Sequence, residues 1–259
     1  MHRFTRYTRL LLPVVLAVAL VPAGAAHAAV TNYVALGDSY SSGVGTDHYD
    51  LSASCDRSSL AYPALVAAAK GYALSFQACS GATTTDVINN QVGALSASTN
   101  LVSVTAGGND AGFVNLIITC TLLNCVSSIN NTITFVNTQL PAKLDAMYTQ
   151  IKTRAPSAKV VVLGYPHLFS GTCLSAFGIS SSEVTAAGNL ADAMDKVTRT
   201  EASKYGFVYE SSIARFTNHG VCASSAWLHG LDITSLTSSY HPTTTGQSSG
   251  YEPLMLGAL

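Results

Sequence analysis

The stretch Asn32 to Gly45, NYVALGDSYSSGVG, runs an apolar segment into Gly37-Asp38-Ser39 and then into a turn rich in serine and glycine. Tyr33 to Leu36 reads as a buried strand. Asp, Ser and Gly after a strand are ordinary turn chemistry. The carboxyl end of a central strand in an open sheet is also where such sheets hold reactive groups. The rest of the chain decides between these two readings.

Downstream, strand-like runs alternate with helical patterns, which predicts a parallel sheet with helices on both faces. Tyr62 to Lys70 is a helix with Pro63 near its start, followed by a strand over Leu74 to Ala78 and a helix opening near Thr85 and Asp86. A strand over Leu101 to Ala106 breaks into Gly107-Gly108-Asn109-Asp110. A long helical stretch interrupted at Pro141 runs to about Arg154, and Lys159 to Leu163 (KVVVL) is the strongest strand signal. Ser180 and Glu183 form a capping box for a helix reaching Lys204, Phe207 to Tyr209 is a fifth strand, and a last helix covers the C-terminal residues.

Residues 1–28 read as a secretory leader: Arg3, Arg6 and Arg9, an apolar core over Leu10 to Leu20, and the A-x-A site Ala26-His27-Ala28. Cleavage after Ala28 leaves one domain over 29–259, exported to the extracellular space. The apolar core is short for a span, and no later segment approaches about 20 apolar residues. Without the leader, ten basic residues face 14 acidic ones, a formal charge of −4, which argues against a nucleic-acid surface. Six cysteines in an exported chain predict three disulfides. No C-x-x-C or Cys/His cluster has zinc-like spacing, so no metal is expected.

Three polar groups follow strand ends or open the last helix: Ser39, Gly107 to Asp110, and His241-Pro242-Thr243. In a parallel sheet these loops share one edge, so they can converge on one cleft. Ester hydrolysis through a serine needs a nucleophile, a base and donors aimed at the oxyanion. Ser39 supplies the hydroxyl and His241 the base, while the Asn109 amide and a glycine N–H such as that of Gly81, in ACSGATT, supply donors. Each motif alone is common loop chemistry, and His48, His167 and His219 read as surface residues. No G-x-S-x-G elbow and no H-E-x-x-H helix occur, which removes two competing hydrolase layouts.

The four blocks Gly37-Asp38-Ser39, Gly81, Gly107-Gly108-Asn109-Asp110 and His241-Pro242 resemble those of the SGNH (GDSL) hydrolase superfamily. That resemblance implies a three-layer, flavodoxin-like α/β/α sandwich around a five-stranded parallel sheet. It makes Ser39 the nucleophile, His241 the base, and the Ser39 and Gly81 N–H groups with Asn109 the oxyanion hole. YVALGDSYSSGVG, ACSGA, GGNDAGF, LGYP and SYHPT, with six cysteines, resemble secreted actinomycete lipases and phospholipases A1. The same likeness implies the disulfides Cys55–Cys79, Cys120–Cys125 and Cys173–Cys222. The expected function is hydrolysis of carboxylic esters of lipids, phospholipids included, by a monomer that meets the lipid interface transiently and needs no cofactor. A carbohydrate acetylesterase and a non-catalytic extracellular binding module on the same fold are the alternatives.

The pattern departs from the superfamily at one position. Most members carry Asp three residues before the histidine, where this chain has Ser238. The resemblance to the secreted group points to a Ser39–His241 dyad, with the carbonyl of Ser238 or Ser239 accepting from His241 Nδ1–H. Asp232, nine residues upstream of His241, is the other candidate and reads as a turn residue. Tyr40, Trp227 and Tyr240 flank the expected cleft and are candidates for an acyl pocket, with packing favoured for Trp227.

Overall fold

The computed structural model describes residues 1–2, 31–120, 123–170 and 179–259. Nearly all of the expected leader, and Cys173 with its expected bond to Cys222, lie outside them. Five strands, β1 (Asn32–Gly37), β2 (Ala73–Phe76), β3 (Leu101–Thr105), β4 (Lys159–Leu163) and β5 (Val208–Glu210), form one sheet in the order β2-β1-β3-β4-β5, every pair parallel. β3 is buried along its whole length and β4 everywhere but at Lys159, as expected of strands covered on both faces. β2 stops two residues earlier than its apolar run suggests, although the Gln77 and Ala78 N–H groups still reach the Ala35 carbonyl. β5 begins one residue late, because Phe207 packs as the lead-in.

The helices are α1 (Ser39–Ser42), α2 (Tyr62–Lys70), α3 (Thr84–Asp86), α4 (Phe113–Cys120), α5 (Val126–Thr138), α6 (Leu140–Arg154), α7 (Ser181–Lys204) and α8 (Glu252–Gly257). The long helical stretch before β4 is therefore three helices. Pro141 lies in the first turn of α6, where a missing N–H breaks nothing, and the chain turns at Gln139 instead. Ser180 and Glu183 cap α7 reciprocally, as their spacing predicts. α2 packs with α8, and α5 and α6 pack with α7, giving the outer layers of a three-layer α/β/α sandwich.

Strand order fixes where a site belongs. From β1 the chain moves out to β2 on one side and returns to β3 on the other, so the loops after β1 and β3 part and leave a crevice at their carboxyl ends. Two disulfides brace this edge. Cys55–Cys79 ties the loop before α2 to the loop after β2, and Cys120–Cys125 joins the end of α4 to the start of α5. By loop-closure entropy the first, spanning 24 residues, contributes roughly 3 kcal/mol.

Candidate active site

The turn that presents Ser39 is built from its neighbours. Gly37 sits at φ +126°, and a Cβ there would lie 2.3 Å from the Thr105 carbonyl oxygen of β3, so only glycine allows the strands to approach. Gln91, buried, holds both polar groups of Gly37: its Oε1 accepts from the Gly37 N–H at 2.8 Å and its Nε2 donates to the Gly37 carbonyl at 2.9 Å. Asp38 N–H donates to Thr105 O at 2.9 Å, and Asp38 Oδ1 accepts from Tyr40 N–H at 3.0 Å, capping α1. Ser39 is thereby fixed as the first residue of that turn.

His241 arrives from the far end of the chain. Its Nε2 lies 2.7 Å from Ser39 Oγ, and its Nδ1 lies 3.0 Å from the Ser239 carbonyl oxygen. A carbonyl only accepts, so Nδ1 carries the proton, and Nε2 is left to accept from the Ser39 hydroxyl. The loop is held by Tyr40, whose hydroxyl donates to the Tyr240 carbonyl at 2.7 Å and whose ring centre stands 5.3 Å from that of His241. Burial pushes the imidazole pKa down to about 4, against the opposing pull of the Ser239 carbonyl. Of the two carbonyls considered, that of Ser239 meets the ring; Ser238 turns its hydroxyl to the Asp47 carboxylate at 2.9 Å. Asp232 Oδ1 accepts from Thr234 N–H, Thr234 Oγ1–H and Ser235 N–H, which commits it to its own turn.

The donors gather on the other side of the serine. Ser39, Gly81, Asn109 and His241 line one cavity of about 460 Å³. Among the described residues neither the Ser39 nor the Gly81 N–H has a hydrogen-bond partner. Asn109 Nδ2 donates one hydrogen to the Ala82 carbonyl at 3.0 Å and keeps a second. Gly81 sits at φ +77°, a left-handed backbone that favours glycine, with open space where a Cβ would be.

A buried strut links the first and third blocks. The Tyr165 hydroxyl donates to Asp38 Oδ2 in a short hydrogen bond and accepts from Gly108 N–H at 3.0 Å. Burial raises the Asp38 pKa to about 7, with the Tyr165 and Tyr40 hydrogen bonds resisting the rise and the Asp110 charge adding to it. Asp110 accepts from Thr84 N–H and Oγ1–H at 2.8 and 2.9 Å and meets Lys143 at 3.4 Å, pinning the Gly107–Asp110 loop to α3 and α6. Neither aspartate approaches the imidazole as a hydrogen-bond partner.

Two sequence expectations need correction. Tyr40 and Tyr240 are fully buried, so neither forms the acyl wall, while Trp227 packs on Phe216 and His219, as favoured from the sequence. The apolar side of the cavity is Val114 and Ile118 of α4 with Leu236. His219 is not a plain surface residue but stacks on Trp227 at 3.6 Å. Sequence reasoning missed Gln91, and also Gln247, which donates to the Tyr40 carbonyl at 3.1 Å and accepts from Tyr62 N–H at 3.0 Å. A glutamine in a helical pattern carries no signal that separates a buried clamp from a solvated side chain. Tyr165 lies within LGYP, whose recurrence in the secreted group was the available hint.

Residues 35–248 match the GDSL-like Lipase/Acylhydrolase family. Lipase 1 of Streptomyces coelicolor is 43% identical over 271 residues, covering 100% of both chains. The crystal structure of the extracellular lipase from Streptomyces rimosus is 43% identical with a TM-score of 0.85, covering 88% of this chain and 100% of that one. The crystal structure of phospholipase A1 from Streptomyces albidoflavus is 47% identical with a TM-score of 0.85, covering 89% and 100%.

Proposed function

Since the chain belongs to the GDSL-like lipase/acylhydrolase family, we propose that it is a serine hydrolase acting on carboxylic esters of lipids through a Ser39–His241 dyad. The observation that carries this is the 2.7 Å approach of His241 Nε2 to Ser39 Oγ, with Nδ1 occupied by a main-chain carbonyl. His241 takes the Ser39 proton as Oγ attacks the ester carbonyl. The Ser39 and Gly81 N–H groups and Asn109 Nδ2 hold the oxyanion. The imidazolium then protonates the leaving alcohol, and the remaining acyl-enzyme is hydrolysed by a water that gives its proton to the same ring. Among the described residues no carboxylate hydrogen-bonds the imidazole; the Ser239 carbonyl dipole supports its charge, and the buried ring is a weak base kept neutral over a wide pH range.

The apolar wall of Val114, Ile118 and Leu236 supports an acyl chain rather than a sugar, and relatives named lipase and phospholipase A1 support lipid esters. Removal of residues 1–28 after Ala28 and export, supported by the leader pattern, the disulfides and an extracellular lipase among the relatives, complete the proposal, with the exported chain acting as a monomer. The test is hydrolysis of p-nitrophenyl esters from acetate to palmitate by residues 29–259 and by its Ser39→Ala variant. Turnover of medium or long chains that disappears in the variant supports the reading. Turnover restricted to acetate favours an acetylesterase, and none from a folded protein overturns hydrolysis altogether.

A further inference from the structure

A second cavity, about 390 Å³, lies beside the first and shares Ser80 and Gly81 with it. Its other walls include Arg57, Gln77, Asp86 and Asn90. The two cavities thus flank one short backbone segment, whose Gly81 N–H the mechanism above aims at the ester carbonyl. For a substrate with its carbonyl there and its acyl chain along Val114 and Ile118, this second cavity is the adjoining space across Ser80 and Gly81.

Arg57 is held firmly on that wall. Its backbone pairs with Ser52 in a small antiparallel bridge, the nearby Cys55 is bonded to Cys79, and Nη1 donates to the Phe76 carbonyl at 2.6 Å. Yet its charge is unanswered: among the described residues it forms no ion pair, Nη2 makes no hydrogen bond, and Nε is buried without a partner. An arginine serving only to tie down a carbonyl has no need of a cavity at its open side. A fixed guanidinium on a cavity wall with Nη2 uncommitted is suited to a phosphate oxygen. Asp86 lines the same cavity, its Oδ2 taken by Thr83 N–H and Oγ1–H. A bare anion meets repulsion from that carboxylate, whereas a head group carrying a phosphate and an amine matches both charges.

We propose that this cavity is a head-group subsite for zwitterionic glycerophospholipids, with Arg57 contacting the phosphate and Asp86 facing the amine. The proposal rests on the lipid-ester reading of the neighbouring site and narrows it to phospholipid.

The experiment compares kcat/KM for dibutyryl phosphatidylcholine, used as a dispersed monomer, with that for p-nitrophenyl butyrate. Arg57→Gln is expected to lower the phospholipid-to-p-nitrophenyl ratio about tenfold or more, the loss of a charge-assisted contact. Arg57→Lys should recover part of it. Gln77→Glu, which keeps Arg57 and sets a carboxylate next to its Phe76 anchor, should lower the same ratio by competing with the phosphate for the guanidinium, a second variant for the case that Arg57→Gln folds poorly. Glycerophosphocholine should inhibit phospholipid turnover competitively. Unchanged ratios in both Arg57→Gln and Gln77→Glu overturn the subsite. Wild-type turnover of p-nitrophenyl butyrate without turnover of phosphatidylcholine also overturns it and leaves ester hydrolysis standing; turnover of neither removes the underlying reading as well.

Discussion

The acid limb of activity offers a quantitative test of the buried dyad. Burial lowers the His241 pKa from 6.5 to about 4. That difference of about 2.5 pH units corresponds to about 3 kcal/mol favouring the neutral ring. The neutral ring is the working base, so kcat/KM should hold as pH falls below 6.5 and drop tenfold per unit only below about 4. At pH 5 the account predicts about nine-tenths of plateau activity, against about one-thirtieth for an unshifted histidine. The assay is release of p-nitrophenol from p-nitrophenyl butyrate, quenched and separated, from pH 3 to 9. The fold must be followed in parallel. A depressed histidine contributes stability fully present above pH 6.5 and lost as pH falls toward 4, whereas Asp38, raised from 3.8 to about 7, contributes stability present below 3.8 and lost as pH rises through 7. Between about pH 4 and 6.5 the two slopes oppose, so stability there should be nearly flat, and Asp38→Asn should uncover the histidine slope. An acid limb centred between 6 and 7 in a protein still folded refutes the account of a desolvated base oriented by a carbonyl.

Other outcomes follow from single contacts. Asn109→Ala should lower kcat on the order of 10²- to 10³-fold as an oxyanion donor, and a loss below about threefold rejects that role. Asp232→Asn should keep kcat within about twofold, since its carboxylate serves its own turn; a collapse in kcat with the fold intact would make it the orienting acid. Gln91→Leu strands both the N–H and the carbonyl of Gly37, and urea unfolding should report a loss of about 2–5 kcal/mol. Tyr165→Phe leaves the buried Gly108 N–H without its acceptor and should cost about 1–3 kcal/mol, read from the same midpoint.

Much of the architecture was legible because the physics that sets it is local. The apolar runs of β1, β3 and β4 have no reason to exist except burial on two faces, and the capping box at Ser180 and Glu183 marks the start of α7 directly. Strand edges were less clear: the end of β2 depends on where a partner strand stops pairing, which no residue of β2 announces. At the site, Ser39, Gly81, Asn109 and His241 were legible as four blocks, and the structure brings them around one cavity. The supporting side chains were not. Tyr40 next to the serine suggests an open cleft, yet its hydroxyl is spent on the Tyr240 carbonyl 200 residues away. Gln91 and Gln247 owe their roles to backbone groups contributed by distant strands and turns, a relation that spacing cannot encode.

The central claim is that Ser39 Oγ, activated by His241, carries the acyl group. A fluorophosphonate ester reaction followed by peptide mass spectrometry tests it most directly, on residues 29–259 and on the His241→Ala variant. The account predicts a single adduct on the peptide containing Ser39, formed rapidly in the unaltered protein and orders of magnitude more slowly without His241. Labelling at another serine, or labelling of Ser39 at the same rate without His241, contradicts it.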